Sequence, residues 1–294
     1  MLIEIATVLA PLFICAGIGF AWTRTGRAFD AESMGNLVGN LALPCLVFST
    51  MTKYEISPAL FAHMAGVYLG AIVVFAAVGV GVARALGLDI RVYGPPMVFS
   101  NCGNMGLPVC LFAFGEPGLA AAVSIFLTNA ILNYTFGTAT FAGKLSHRAV
   151  TYNVLVYAAL VALALTALGI PTPRWLANTT SLMGTISVPF MIVALGASMA
   201  RLHVSDLPRT IGLCLFRQLS SFAIGWGAAS LAGLEGVERG VLILMCSMPV
   251  AVVNYLFAMR YDRRPEQVAS MVLASTVIAY CMLPFVLIVA LPGG

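Results

Sequence analysis

The sequence predicts an all-α integral membrane protein, with ten membrane-spanning helices in two inverted five-helix repeats and one broken helix in each repeat. Three observations carry this reading. The first is composition: of 294 residues 61% are hydrophobic and only 9% charged, against roughly 25% charged in an ordinary soluble domain. No soluble domain remains once the apolar stretches are removed. The second is the length of those stretches, because a helix rising 1.5 Å per residue needs about 20 apolar residues to cross a bilayer. The third is internal repetition. Gly39-Asn-Leu-Ala-Leu-Pro44 matches Gly184-Thr-Ile-Ser-Val-Pro189 and Leu111-Phe-Ala113 matches Leu256-Phe-Ala258, both at an offset of 145 residues. An odd number of spans per repeat makes the second half enter the membrane from the opposite side. The halves divide as residues 1–145 and 146–294.

The ten spans run over residues 2–22, 33–52, 60–83, 93–114, 118–142, 151–169, 180–200, 208–232, 239–259 and 266–291. The first carries Glu4 and no basic residue before it, so it lacks the positive leader of a cleaved signal and is expected to be retained. Pro44 in the second span and Pro189 in the seventh are read as packing kinks. The fourth is interrupted by Asn101, Gly103, Asn104, Gly106 and Pro108, and the ninth by Ser247, Pro249 and Asn254. Proline removes a donor and clashes with the preceding turn, while glycine admits non-helical angles. In the fifth span Asn129 and Asn133 are four residues apart and share a face, which suits interhelical hydrogen bonding or the lining of a cavity. The eighth holds Arg217 well inside hydrocarbon. Such a residue snorkels, pairs or faces water, so it either attracts an anion or binds carbonyl ends or lipid phosphate.

All seven cysteines fall within spans and none forms a CxxC pair, so they read as small packing residues; no metal site and no cofactor is expected. His63 and His203 sit near span ends and His147 lies in a basic loop. Loops after odd-numbered spans hold eleven Lys and Arg residues against three in the opposite loops. By the positive-inside rule the odd loops face the cytoplasm and both termini face outward. The net charge of +4 follows from this topology and gives no reason to expect nucleic acid.

A broken helix in hydrocarbon strands backbone groups at several kcal/mol each unless protein, ligand or water satisfies them. Two such breaks in corresponding places would aim half-helix amino ends, each roughly half a positive charge, at one mid-membrane cavity suited to a carboxylate. Apart from Glu4 and Glu266, each near a span end, no Asp or Glu lies within a span; Glu116 and Asp262 sit beside the following loops. Coupling through an intramembrane carboxylate is therefore disfavoured, whereas sodium held by backbone carbonyls with Ser100, Asn101, Asn104, Ser247 or Asn254 stays open. No GxxxxGK[ST] loop supports ATP drive, and the spans supply no constellation for an enzyme.

Leu43-Pro44-Cys-Leu-Val-Phe48, Ser100-Asn-Cys-Gly-Asn-Met-Gly-Leu-Pro108 followed by Phe114-Gly-Glu116, and Met248-Pro249 through Asn254-Tyr-Leu-Phe-Ala258 resemble the auxin efflux carrier family, bacterial branch, over nearly the whole chain. That family includes plant auxin exporters and bacterial carriers named for malate or malonate. The resemblance implies a fold similar to bile-acid symporters and sodium/proton antiporters. It also implies an elevator, in which a transport domain of spans three to five and eight to ten moves substrate past a scaffold of spans one, two, six and seven that can also form a homodimer. Matching on Met105-Gly-Leu-Pro108 places the plant substrate-binding asparagine on Asn101, with Ser100 where a proline stands, and the ninth-span proline on Pro249. Val250 and Asn254 depart from the plant pattern, where a polar residue and a proline are usual, so auxin itself is not the expected cargo.

The expectation is a secondary transporter of a small mono- or dicarboxylate in the cytoplasmic (inner) membrane. Asn101, Asn104, Ser100, Ser247 and Asn254 are the expected substrate ligands, Gly103, Gly106, Pro108 and Pro249 shape the breaks, and Arg217 contributes electrostatically. The alternative is a sodium-coupled organic-anion symporter of bile-acid type.

Overall fold

The structure, a computed structural model, describes residues 2–26, 30–54, 56–144, 154–201 and 206–291. Arg27, His147, Arg148 and His203 lie outside the described residues, as does the side chain of Glu4. The described backbone is helical apart from turns, links and one antiparallel bridge, Ser100 with Val250.

The first helix, α1 (Leu2–Arg24), is followed by α2 (Ala31–Leu37) and α3 (Leu43–Lys53), joined by a π-helical turn, Val38–Ala42. Then come α4 (Pro58–Ala85), α5 (Ile90–Val98), α6 (Leu107–Leu132) and α7 (Thr138–Ala142). The second half holds α8 (Val154–Ala167), α9 (Arg174–Thr185), α10 (Ser187–Arg201), α11 (Leu207–Leu231), α12 (Gly236–Cys246), α13 (Val253–Arg260) and α14 (Pro265–Ala290). Inside α6 the backbone turns sharply at Gly115, whose φ of 66° and ψ of −157° suit glycine alone, and Pro117 follows. That kink falls between the expected fourth and fifth spans.

Among the described residues six helical stretches are long and apolar enough to cross a membrane: Ile5–Arg24, Ser33–Lys53, Pro58–Ala85, Cys102–Ala142, Arg174–Ala200 and Pro265–Ala290. The other expected spans fall short for physical reasons. The ninth is cut into α12 and α13, and only the second part of the fourth is included, because α5 ends at Val98. Arg217, Gln218, Ser220 and Ser221 make α11 too polar for its 25 residues to qualify. In the sixth, residues 151–153 lie outside the described set. Large apolar side chains point outward along these helices, with Ile14 61% and Leu182 70% exposed. Such a surface fits hydrocarbon rather than water.

The chain forms two compact units. The first comprises Met1–Ala65, Gly103–Leu127 and Tyr152–Arg201. There α1 lies along α10, and α3 packs against α8 and α9. Glycines let backbones touch: a Cβ at Gly19 would overlap the Val193 carbonyl, one at Gly196 would overlap the Ala16 carbonyl, and one at Gly184 would come within 2.8 Å of Leu46 Cα. Small residues at such contacts are how helices associate without a hydrophobic driving force.

The second unit comprises Gly66–Cys102, Thr128–Thr151 and Leu202–Gly294. Here α11 packs on α12 and α14, with Gly225 placing its α-carbon so close that a Cβ would sit 2.6 Å from Cys246 Cβ. Val92, Tyr93, Met97, Leu213, Met271 and Val272 form its core, beside which Tyr134 meets Phe257 edge to face at 5.4 Å.

Candidate functional site

The two helix breaks meet within the second unit. After Val98 the chain runs extended through Phe99 (φ −91°, ψ 120°), and after Ser247 it leaves α12 until α13 begins. The breaks pair with each other as two extended strands would: Asn101 N–H donates to Pro249 O at 2.7 Å, and Ala251 N–H donates to Phe99 O at 3.1 Å. Side chains take several of the remaining backbone groups. Asn129 Nδ2 donates to Ser100 O at 3.0 Å, Gln218 Nε2 to Ser247 O at 2.7 Å, and Val250 N–H to Ser275 Oγ at 3.0 Å. This is the internal satisfaction that unwound backbone at membrane depth demands.

Arg217 is the centre of this arrangement. It is 1% exposed, and its Nε, Nη1 and Nη2 donate to Pro96 O, Met248 O and Ser100 Oγ, each at 2.9 Å. A single guanidinium therefore ties the last turn of α5, the carbonyl just beyond α12 and the hydroxyl between them. Of the alternatives the sequence leaves open for Arg217, carbonyl ends are its partners. Hydrogen bonds to a charged group contribute about 1.5–3 kcal/mol each. Three of them outweigh the roughly 2.5–3.5 kcal/mol that inserting the charge costs. Among the described residues no Asp or Glu is buried, and Arg217 makes no ion pair.

The expected substrate ligands are not all in one place. Ser100, Asn101, Ser247, Asn254 and Pro249 belong to the unit that holds Arg217, whereas Gly103, Asn104, Gly106 and Pro108 belong to the other. The fourth-span break is also shorter than the sequence predicts. Cys102–Gly106 is a π-helical turn that continues directly into α6, of which Pro108 is the second residue, so its missing N–H falls inside the helical run, beside the widened turn. The glycines are thus absorbed into helix, and the departure from it is confined to residues 99–101. Asn254 similarly lies in the first turn of α13, and Ser247 ends α12 with its hydroxyl donating to Ile243 O at 2.7 Å.

Three buried polar atoms beside the breaks have no partner: Asn101 Nδ2, Gln218 Oε1 and Asn254 Oδ1. Leaving such a group unsatisfied costs about 1–3 kcal/mol, and each exception calls for an explanation such as a ligand. Asn129 acts as interhelical glue, accepting from Tyr68 Oη at 3.0 Å while it caps Ser100 O. The sequence reading misses Tyr68, Gln218 and Ser275. Gln218 had a signal, a second polar residue beside Arg217 in an apolar span; a tyrosine and a serine in such spans had none. Tyr68→Phe is expected to lower stability by about 1 kcal/mol, the worth of one buried hydrogen bond, read as a lower thermal midpoint in detergent.

The first unit contains a cavity of about 890 Å³ lined by Ser49, Lys53, Glu116, Asn178, Ser181 and Leu165 among others. Lys53 and Glu116 form a 3.8 Å ion pair at largely exposed positions, an arrangement worth about 0–1 kcal/mol. None of the five expected substrate ligands lines this cavity. No group of three or more His, Cys, Asp or Glu suited to a metal ion occurs among the described residues.

Two paired helix breaks, stapled by a buried cation and leaving buried amides unmet, are a transporter's architecture rather than an enzyme's. Comparison with known families decides the matter: the profile of the membrane transport protein family matches residues 4–153 and 144–287. The chain belongs to that family. It is the family of the auxin efflux carriers that the motifs resemble, and its members are transporters, not enzymes. The chain is 26% identical over 278 residues to an "Uncharacterized transporter" of Methanothermobacter thermautotrophicus, covering 87% of each protein. It is 24% identical over 265 residues to an "Uncharacterized transporter" of Methanocaldococcus jannaschii, covering 84% of this chain and 85% of the relative. A "Putative malonate transporter" of Rhizobium meliloti is 22% identical over 303 residues, covering 94% of this chain and 92% of the relative.

Proposed function

We propose that this member of the membrane transport protein family is a secondary transporter that moves a small carboxylate, of which malonate is the first to test, across the cytoplasmic membrane. The observation that carries the reading is Asn101 Nδ2, a buried donor without a partner. Its neighbour Ser100 is held by a guanidinium that faces no buried carboxylate among the described residues.

Charge bookkeeping favours an anion. The carboxyl ends of α5 and α12 each carry about half a negative charge, which the single charge of Arg217 offsets. The helical segments that begin at Cys102 and Val253 each present about half a positive charge. Together they suit one carboxylate, with Asn101 donating to it and the open oxygens of Gln218 and Asn254 accepting from a protonated carboxyl, a hydroxyl or bound water.

Ten spans in two inverted repeats remain part of the proposal. In its support, α1 lies along α10 and α3 along α8, the reciprocal pairing that exchange of the two repeats requires. In this reading both termini face outward. The elevator has a scaffold of spans one, two, six and seven, with spans three to five and eight to ten as the moving part.

Counterflow of labelled malonate in proteoliposomes tests the activity, and Asn101→Ala tests the site. Loss of a charge-assisted hydrogen bond, about 1.5–3 kcal/mol, corresponds to a roughly ten- to hundredfold weaker apparent affinity. Unchanged affinity and flux in Asn101→Ala would refute the assigned site.

A further inference from the structure

In carriers built on discontinuous helices, unwound carbonyls and half-helix carboxyl ends are the groups that coordinate sodium or a proton. Here seven of the oxygens around the breaks already accept a hydrogen bond. Pro96 O and Met248 O both accept from Arg217, as does Ser100 Oγ. Phe99 O and Pro249 O are taken by the backbone of the opposite break, Ser100 O by Asn129 and Ser247 O by Gln218. The two side-chain acceptors left open beside the breaks are neutral amide oxygens, Gln218 Oε1 and Asn254 Oδ1. Two such oxygens fall well short of the shell of about six that a hard cation takes, and Gln218 is the chain neighbour of a fixed positive charge that repels a second one.

We infer that Arg217 is a tethered counter-ion standing where a coupling cation would otherwise bind, so that the carrier works without sodium. The inference rests on the transport reading above and deepens it by naming the coupling. A covalently held cation neutralises the carboxyl ends of both half-helices permanently, and no ion needs to be recruited before the anion binds. One residue serves both breaks: the repeat offset of 145 places the apolar Ile72 at the corresponding position of the first half.

The test compares the full-length purified protein in sodium chloride and in choline chloride at equal ionic strength. Wild-type thermal midpoints, with and without malonate, are expected to be the same in the two salts, as are rates of malonate counterflow. Arg217→Ser uncovers the three oxygens, and sodium but not choline is then expected to raise its midpoint. A sodium-dependent midpoint or flux in the wild type would overturn the inference, as would an Arg217→Ser protein that folds and ignores sodium. The wild-type arms stand even if that variant does not fold. A chain that ignores malonate in both salts would count against the transport reading, while the sodium arms still decide this one.

Discussion

Arg217→Met is expected to destabilise the second unit by about 2–4 kcal/mol, a large share of the roughly 5–15 kcal/mol that holds a folded protein together. Methionine fills much of the space but donates nothing, so Pro96 O, Met248 O and Ser100 Oγ lose their partner together. Each buried acceptor left unmet costs about 1–3 kcal/mol. Removing the charge returns about 2.5–3.5 kcal/mol of insertion cost, which offsets only part of the loss. Arg217→Lys should fall between the two, because an ammonium on a flexible stem cannot reproduce a planar fork that reaches three acceptors in fixed directions. Thermal midpoints in one detergent should therefore rank wild type above Lys above Met; a Met variant as stable as wild type would remove the clamp from the account.

The second large effect is expected at Gly196. A Cβ there overlaps the backbone carbonyl of Ala16, and Gly19 makes the reciprocal contact with the Val193 carbonyl. Backbone cannot rotate aside as a flexible side chain can, so Gly196→Leu must separate α1 from α10 along their shared length. Overpacking of this kind costs about 1–3 kcal/mol, occasionally more, and here the lost helix contact adds to it. Gly17→Leu on α1 is the control, since nothing lies within 4 Å of a Cβ at that position. The expected result is a folded Gly17→Leu protein, with Gly196→Leu poorly recovered or melting well below it.

The sequence makes some of this legible and hides the rest for identifiable reasons. Proline, glycine and asparagine in otherwise apolar stretches announce both helix breaks, because those residues conflict with a continuous helix in hydrocarbon. Their placement is less legible: a π-helical turn absorbs Gly103 and Gly106, and the backbone departs from helix upstream, at Phe99. Arg217 is conspicuous as a charge inside a span, yet its partners are carbonyls 121 and 31 residues away, and a carbonyl has no sequence signature. Gly19 and Gly196 look like any other glycines in the sequence; only the packing of α1 on α10 shows that these two must lack a side chain while Gly17 need not. Of the expected ligands, Asn101 alone combines a motif match with an unmet buried donor.

The most direct test of the central claim is to locate a bound carboxylate. Bromomalonate, whose heavy atom marks its position, should be found in the protein by cryo-electron microscopy or anomalous diffraction. The account predicts a carboxylate oxygen within hydrogen-bonding distance of Asn101 Nδ2, between the two helix breaks. A carboxylate bound instead in the cavity beside Lys53, with Asn101 Nδ2 still unmet, would contradict it.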